Sequence, residues 1–234
     1  MKRDTSYAYS NDEQIIAYIA GIVVEVINER TQNVKNTANV SDKPEAASGK
    51  SALAGAKASG SSDPREVIIG VGPAFLAEIT VTLAGLPHAD VLREIAAGVE
   101  EEGMIPRAVK VYKTSDVAFI GKEAAELSGS GVGVGLQSKG TAVIHRKDLY
   151  PLTNLELFPQ APLMTLAHYR NIGQNAARYA KGERVKPMKV LNDPMTRAAY
   201  QVKAALMHNK ETACVNTERD TEDITQRSKT SHIE

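Results

Sequence analysis

Residues 66–73 read Glu66-Val67-Ile68-Ile69-Gly70-Val71-Gly72-Pro73, a continuous apolar run ended by Gly-Pro. An edge strand would alternate polar and apolar side chains, whereas a run apolar on both sides fits a strand with both faces covered. Outward from it the periodicity changes. Val91, Leu92, Ile95, Ala96 and Val99 recur at helical spacing between Ala89 and Glu102 and stop at Gly103, a helix with its glycine terminator. Ala108–Tyr112 reads as a second strand. Ser115 and Asp116 can cap a helix running to Leu127, after which Val132–Leu136 and Thr141–His145 read as two further strands. Alternating strand and helix predicts an α/β domain: three layers, with a mixed or mostly parallel sheet flanked by helices. Further on, 162–181 and 194–210 are helix-like, each with a proline near its first turn.

The flanking segments differ in composition. Ser10 and Glu13 form a capping-box pattern, and Ile15, Ile16, Ile19, Ile22, Val23, Val26 and Ile27 fall on one stripe opposite Asp12, Gln14, Glu25 and Asn28. Residues 1–30 are therefore expected to form an amphipathic helix, and 31–64, rich in Asn, Ser, Ala, Gly and Lys, a flexible linker. The α/β domain is assigned to 65–212. The polar stretch 213–234 is expected to be a disordered tail.

Composition removes several functions. With 28 Lys plus Arg against 28 Asp plus Glu, the formal charge is zero, so no whole-chain field draws a polyanion. Aromatics are 5% without tryptophan, which leaves little to stack on bases, so no nucleic acid partner is expected. A bilayer span needs about 20 apolar residues, and Ile15–Ile27 is shorter and broken by Glu25, so no membrane association is expected. Asp12 and Glu13 stand where a secretory signal would be neutral or basic. The single cysteine, Cys214, excludes an intrachain disulfide and suits a reducing, cytoplasmic compartment.

Catalytic motifs fail on spacing. Gly129-Ser130-Gly131-Val132-Gly133-Val134-Gly135 lacks the third glycine of a dinucleotide fingerprint and lies in a strand-like run, so it reads as a strand of small residues under a closely packed surface. The five histidines show no pair at ligand spacing, so no metal site is expected. No Gly-x-Ser-x-Gly elbow follows a strand. Glu100-Glu101-Glu102 is most simply a solvated helix end. No catalytic residue is therefore assigned.

A longer series of motifs is more specific: Glu66–Phe75, Glu100–Gly103, Thr114-Ser115-Asp116-Val117-Ala118-Phe119, Leu127–Gly131, Gln137-Ser138-Lys139-Gly140, Asn154–Leu163 and Asn175–Ala180. Over roughly 66–212, in order, the chain resembles the medium subunit of adenosylcobalamin-dependent diol and glycerol dehydratases. The resemblance implies a non-catalytic subunit that covers the lower face of adenosylcobalamin. A large barrel subunit would carry out the radical chemistry, a small subunit would accompany it, and two such trimers would associate. The implied reaction converts 1,2-diols such as propane-1,2-diol or glycerol to an aldehyde and water. The implied cofactor contacts are Asp116, Lys139, Leu152, Asn154, Pro159, Arg197 and Tyr200.

Each contact has a plainer alternative. Lys139 can be a solvated loop lysine, Asp116 an N-cap, Leu152 and Pro159 ordinary loop packing, and Arg197 with Tyr200 a solvated pair three residues apart on a helix. The chain departs from the resemblance at Ala204, where the family commonly has serine, and after Thr212. The absence of Asp-x-His-x-x-Gly gives no sign of a histidine replacing benzimidazole on cobalt, so base-on binding is expected.

The helix at residues 1–30 resembles extensions that load enzymes into bacterial microcompartments, which implies shell or cargo proteins as partners and a microcompartment lumen as location. The dehydratase reading also implies a reactivating factor as partner. The small subunit of such a factor is itself the alternative reading, and a free-standing nucleotide-binding module a third.

Overall fold

The computed structural model describes residues 56–189 and 192–225. The expected helix over 1–30 and most of the expected linker lie outside the described residues. Among the described residues the chain runs β1 (Glu66–Val71), α1 (His88–Glu101), β2 (Ile105–Lys110), α2 (Val117–Leu127), β3 (Val132–Leu136), β4 (Ala142–Arg146), β5 (Glu156–Phe158), a 3-10 turn (Ala161–Leu163), α3 (Leu166–Ala180), α4 (Pro194–Ala213) and β6 (Glu222–Asp223).

The six strands form one mixed sheet in the order β5-β4-β3-β1-β2-β6. β1 is flanked by parallel β2 and β3, with Ile69 opposite Ala108 on one side and Val134 on the other. The pairs β3–β4, β4–β5 and β2–β6 are antiparallel. All six residues of β1 are buried, as its unbroken apolar run requires.

The two faces of β1 feed different cores. Val67, Ile69 and Val71 join Val91, Leu92, Ile95 and Val99 of α1 and Tyr169, Ile172, Ala176 and Ala177 of α3. Ile68, with Val109 and Val111, packs on Ile120 and Ala124 of α2. The expected three layers are therefore present, with α1 and α3 on one face and α2 on the other.

Glycines bring both helical layers close. A Cβ on Gly98 would stand 2.0 Å from the Arg170 carbonyl oxygen and one on Gly173 2.1 Å from that of Ile95, so α1 and α3 touch backbone to backbone. On the opposite face, a Cβ on Gly133 would lie 2.5 Å from the Ala125 nitrogen, and one on Gly135 2.5 Å from the Val117 oxygen. The glycine-rich stretch is thus the strand on which α2 lies, as its small residues suggest, and its Cα atoms serve packing.

Three sequence expectations change. The helix expected over 162–181 divides, because Met164 is extended and Thr165 starts α3 with a capping box against His168. The three-residue strand β5 was not expected; its buried Glu156 is held by the Asn175 amide at 2.9 Å and the Met188 N–H at 2.7 Å, partners remote in sequence.

The third correction concerns the segment after 213. Instead of a disordered tail over its described part, β6 pairs with β2, Ile224 is buried, and Ala58 N–H donates to the Thr221 carbonyl at 2.8 Å. Residues 56–58, placed in the linker, are thereby joined to the sheet. The placement of β6 rests on contacts such as the Tyr112 hydroxyl to Glu222 at 3.1 Å, which composition does not reveal.

Candidate functional site at the sheet crossover

The chain leaves β1 through α1 toward β2 on one side, then returns through α2 on the opposite face to β3 on the other side of β1. Between β1 and β3 the winding reverses, and the carboxyl ends of strands at such a reversal open a crevice where α/β proteins bind ligands. Here the crevice lies beside Gly72 and the turn 137–140. It is filled from within. The Glu211 carboxylate of α4, fully buried, accepts from the Ser138 hydroxyl at 2.7 Å and from the Ser138 N–H at 3.0 Å. A Cβ on Gly72 would stand 2.0 Å from Glu211 Oε1, so glycine here leaves room for the carboxylate. A buried carboxylate occupies the place where a nucleotide phosphate would sit, which argues against the nucleotide-binding reading.

Beside this carboxylate opens a cavity of about 190 Å³, walled by Leu83, Lys139, Thr141, Pro159 and the 3-10 turn, and by Arg197, Tyr200 and Ala204 of α4. Four of the seven residues singled out in the sequence, Lys139, Pro159, Arg197 and Tyr200, meet in this wall although up to 61 residues separate them in sequence. Ala204, the departure noted above, lies in the same wall. The helical spacing of Arg197, Tyr200, Ala204 and Glu211 puts one side of α4 toward the sheet, and Asp193 caps its first turn by accepting from the Met195 N–H at 2.9 Å.

The other three are elsewhere. Asp116 is exposed and caps α2, accepting from the N–H of Ala118 at 2.8 Å and of Phe119 at 3.3 Å. Its charge still acts on both Lys139 and His208. Leu152 is 62% exposed on the loop before β5, outside the wall. Asn154, on the same loop, has a buried side-chain oxygen without a hydrogen-bond partner.

The electrostatics concentrate at Lys139. Burial lowers its pKa from the ordinary 10.5, with the carboxylates of Glu211 and then Asp116 opposing. Burial raises the Glu211 pKa, against the hydrogen bonds from Ser138 and the charge of Lys139. Burial also lowers the pKa of His208, helped by the Lys139 cation.

His88, one of the five histidines without ligand spacing, is fully buried and stacked 3.8 Å from Phe75. Its Nδ1 accepts from the Leu76 N–H at 3.2 Å, so Nε2 carries the proton and donates to the Ser138 carbonyl at 2.8 Å. Burial drives its pKa down from 6.5 to about 4. The unfolded chain therefore takes a proton below pH 6.5 that the folded chain declines, and stability present above that pH is lost toward pH 4, by about 3 kcal/mol for this group. NMR titration of the ring should find the neutral Nε2–H tautomer persisting well below pH 6; titration near 6.5 would contradict the burial argument.

Thr141, also unmarked by the sequence reading, lines the cavity with a buried hydroxyl oxygen lacking a hydrogen-bond partner. No motif signals it, because its role depends on where β4 begins. No group of three or more His, Cys, Asp or Glu among the described residues can hold a metal ion, and no helix there is long and apolar enough to cross a membrane.

The architecture and site define an α/β domain with a cavity of mixed polarity beside its sheet crossover. A model of the dehydratase medium subunit family matches residues 72–186, which include the turn 137–140 with Lys139, and Pro159. Over those residues the chain is similar to that family. Among solved structures, a glycerol dehydratase reactivase matches at 21% identity with a TM-score of 0.42, covering 51% of this chain and 94% of that one. A diol dehydratase-reactivating factor complexed with ADP and Mg2+ matches at 24% identity with a TM-score of 0.39, over the same shares.

Proposed function

We propose that this chain is the medium subunit of an adenosylcobalamin-dependent diol dehydratase, covering one side of a base-on cofactor held against the large subunit. The observation that carries the reading is the meeting of Lys139, Pro159, Arg197 and Tyr200 around one cavity, the first two within the residues that the dehydratase medium subunit family matches. Cobalamin offers amide side chains, a ribose, a phosphate and a benzimidazole. Two cations, a phenol, hydroxyls and prolines suit that mixture, and the unpartnered oxygens of Thr141 and Asn154 can each meet an amide N–H. At about 190 Å³ the cavity is smaller than the roughly 300–1,000 Å³ that encloses a drug-sized ligand, so it takes only an edge of a larger group. A second surface, from the large subunit, is therefore required.

When bound, the cofactor supplies the adenosyl radical that starts dehydration of the diol. This chain's part is to bind and orient. Lys139 would hold the phosphate or an amide oxygen, Arg197 and Tyr200 the nucleotide tail, and Pro159 would pack against the cofactor at the cavity wall, with Leu152 offering an exposed apolar contact on the neighbouring loop. A medium subunit implies larger and smaller partners, here in a dimer of heterotrimers that a separate reactivating factor serves.

Mixing the purified chain with large and small dehydratase subunits and adenosylcobalamin should yield a stable complex that dehydrates propane-1,2-diol or glycerol. A chain that instead associates only with a reactivating factor's large subunit, releasing damaged cobalamin, would overturn the reading in favour of the alternative.

Residues 1–30 carry the second part of the proposal, loading the enzyme into a bacterial microcompartment by docking an apolar stripe against a shell or cargo protein. Their deletion should leave dehydration nearly intact and release the enzyme from shells. A truncated enzyme that still co-purifies with shells at the full-length level would contradict it.

A further inference from the structure

The turn between β3 and β4, Gln137-Ser138-Lys139-Gly140, is held at every residue. Gly140 N–H closes the turn on the Gln137 carbonyl at 2.8 Å, and Gln137 donates its side-chain amide to the Ser115 carbonyl. The Lys139 carbonyl accepts from the Leu83 N–H at 2.9 Å and the Gly140 carbonyl from the buried Tyr169 hydroxyl at 2.7 Å. Ser138 is fixed on three sides: its N–H and hydroxyl go to Glu211, and its carbonyl accepts from His88. The four residues thus spend their carbonyls on turn geometry, and Lys139 is the one whose side chain enters the cavity wall.

From this geometry we infer that Glu211, Ser138 and His88 are positioning residues, which hold the turn so that the Lys139 ammonium is already aimed when the cofactor arrives. The inference rests on reading the cavity as part of a cobalamin site. Preorganisation of this kind saves the ordering cost that a free loop lysine would incur on binding. The link reaches both helical neighbours. Glu211 ties the turn to α4, which supplies Arg197 and Tyr200 to the same wall, and His88 ties it to the start of α1. None of the three lines the cavity itself.

A double-mutant cycle on the complex assembled with large and small subunits separates positioning from general support. Cyanocobalamin affinity is measured by equilibrium dialysis, and kcat at saturating adenosylcobalamin alongside it. Lys139→Ala should weaken affinity about tenfold or more. Glu211→Ala should weaken it comparably with kcat at saturation unchanged, and in the Lys139→Ala background it should add less than about twofold. Should Glu211→Ala fail to assemble, Ser138→Ala, which removes the 2.7 Å hydroxyl contact and keeps the N–H contact, runs the same cycle.

Equal losses with and without Lys139 would overturn the inference while leaving the cofactor reading intact. Unchanged affinity in Lys139→Ala would overturn the cofactor reading at this wall, and the inference with it.

Discussion

Gly135→Val is expected to destabilise the domain by about 3 kcal/mol or more, the upper end of the range for overpacking a core. A Cβ at this position meets the Val117 oxygen at 2.5 Å, the Gly121 nitrogen at 2.6 Å and the Gly121 Cα at 2.8 Å. All three are backbone atoms, so no side chain can rotate away, and α2 must lift from β3 and expose Ile120 and Ala124. A loss of that size is a large fraction of the roughly 5–15 kcal/mol that holds a typical domain together. Gly60→Val is the control, because nothing lies within 4 Å of a Cβ there and the position is exposed, so a change within about 0.5 kcal/mol is expected. Urea unfolding at fixed slope reads both. Equal midpoints for the two variants would show that the close approach of α2 to β3 does not contribute to stability.

The second large effect belongs to cofactor retention. In the assembled enzyme, Lys139→Ala and Asn154→Ala should each weaken cobalamin binding by about 1–3 kcal/mol, the range for removing one partner of a buried polar contact. Lys139 is partly buried, so a bound acceptor left without it faces little compensating water. Asn154 already holds a buried oxygen without a protein partner, and its truncation should cost affinity with less cost to folding. Cofactor loss on gel filtration of the variants, beside their unfolding midpoints, separates the two effects. Retention unchanged in both variants would remove the site assignment.

The layers of this fold were legible because each is written locally. The run Val67–Val71 can only be a covered strand, and the spacing of Val91, Leu92, Ile95 and Val99 only a helix face. Asp116 was legible as a cap for the same reason, since its acceptors are two and three residues on. Even the glycine stretch was readable as a packing surface, although the helix that lies on it was not named by its residues.

What stayed hidden depends on distant partners. β5 holds a buried glutamate whose amide and N–H donors come from Asn175 and Met188, and β6 is joined to β2 by two residue pairs and to residues 56–58 by a bridge between Lys57 and Glu222. Glu211, which no sequence motif marks, is the carboxylate filling the sheet crossover, a role that exists only because Gly72 and Ser138 are brought beneath it. His88 and Thr141 were invisible for the same reason. The cavity wall was legible only as a resemblance, since helical spacing alone makes Arg197 and Tyr200 a pair on a surface helix and says nothing of Lys139 or Pro159 opposite them.

The most direct test of the account is a structure of the chain assembled with large and small dehydratase subunits and cyanocobalamin. The account predicts the lower side of the corrin and its nucleotide tail against the cavity between Lys139, Pro159, Arg197 and Tyr200, with the Glu211–Ser138 contact unchanged. A corrin bound wholly within the large subunit, with this cavity turned to solvent or filled by protein side chains, would contradict it.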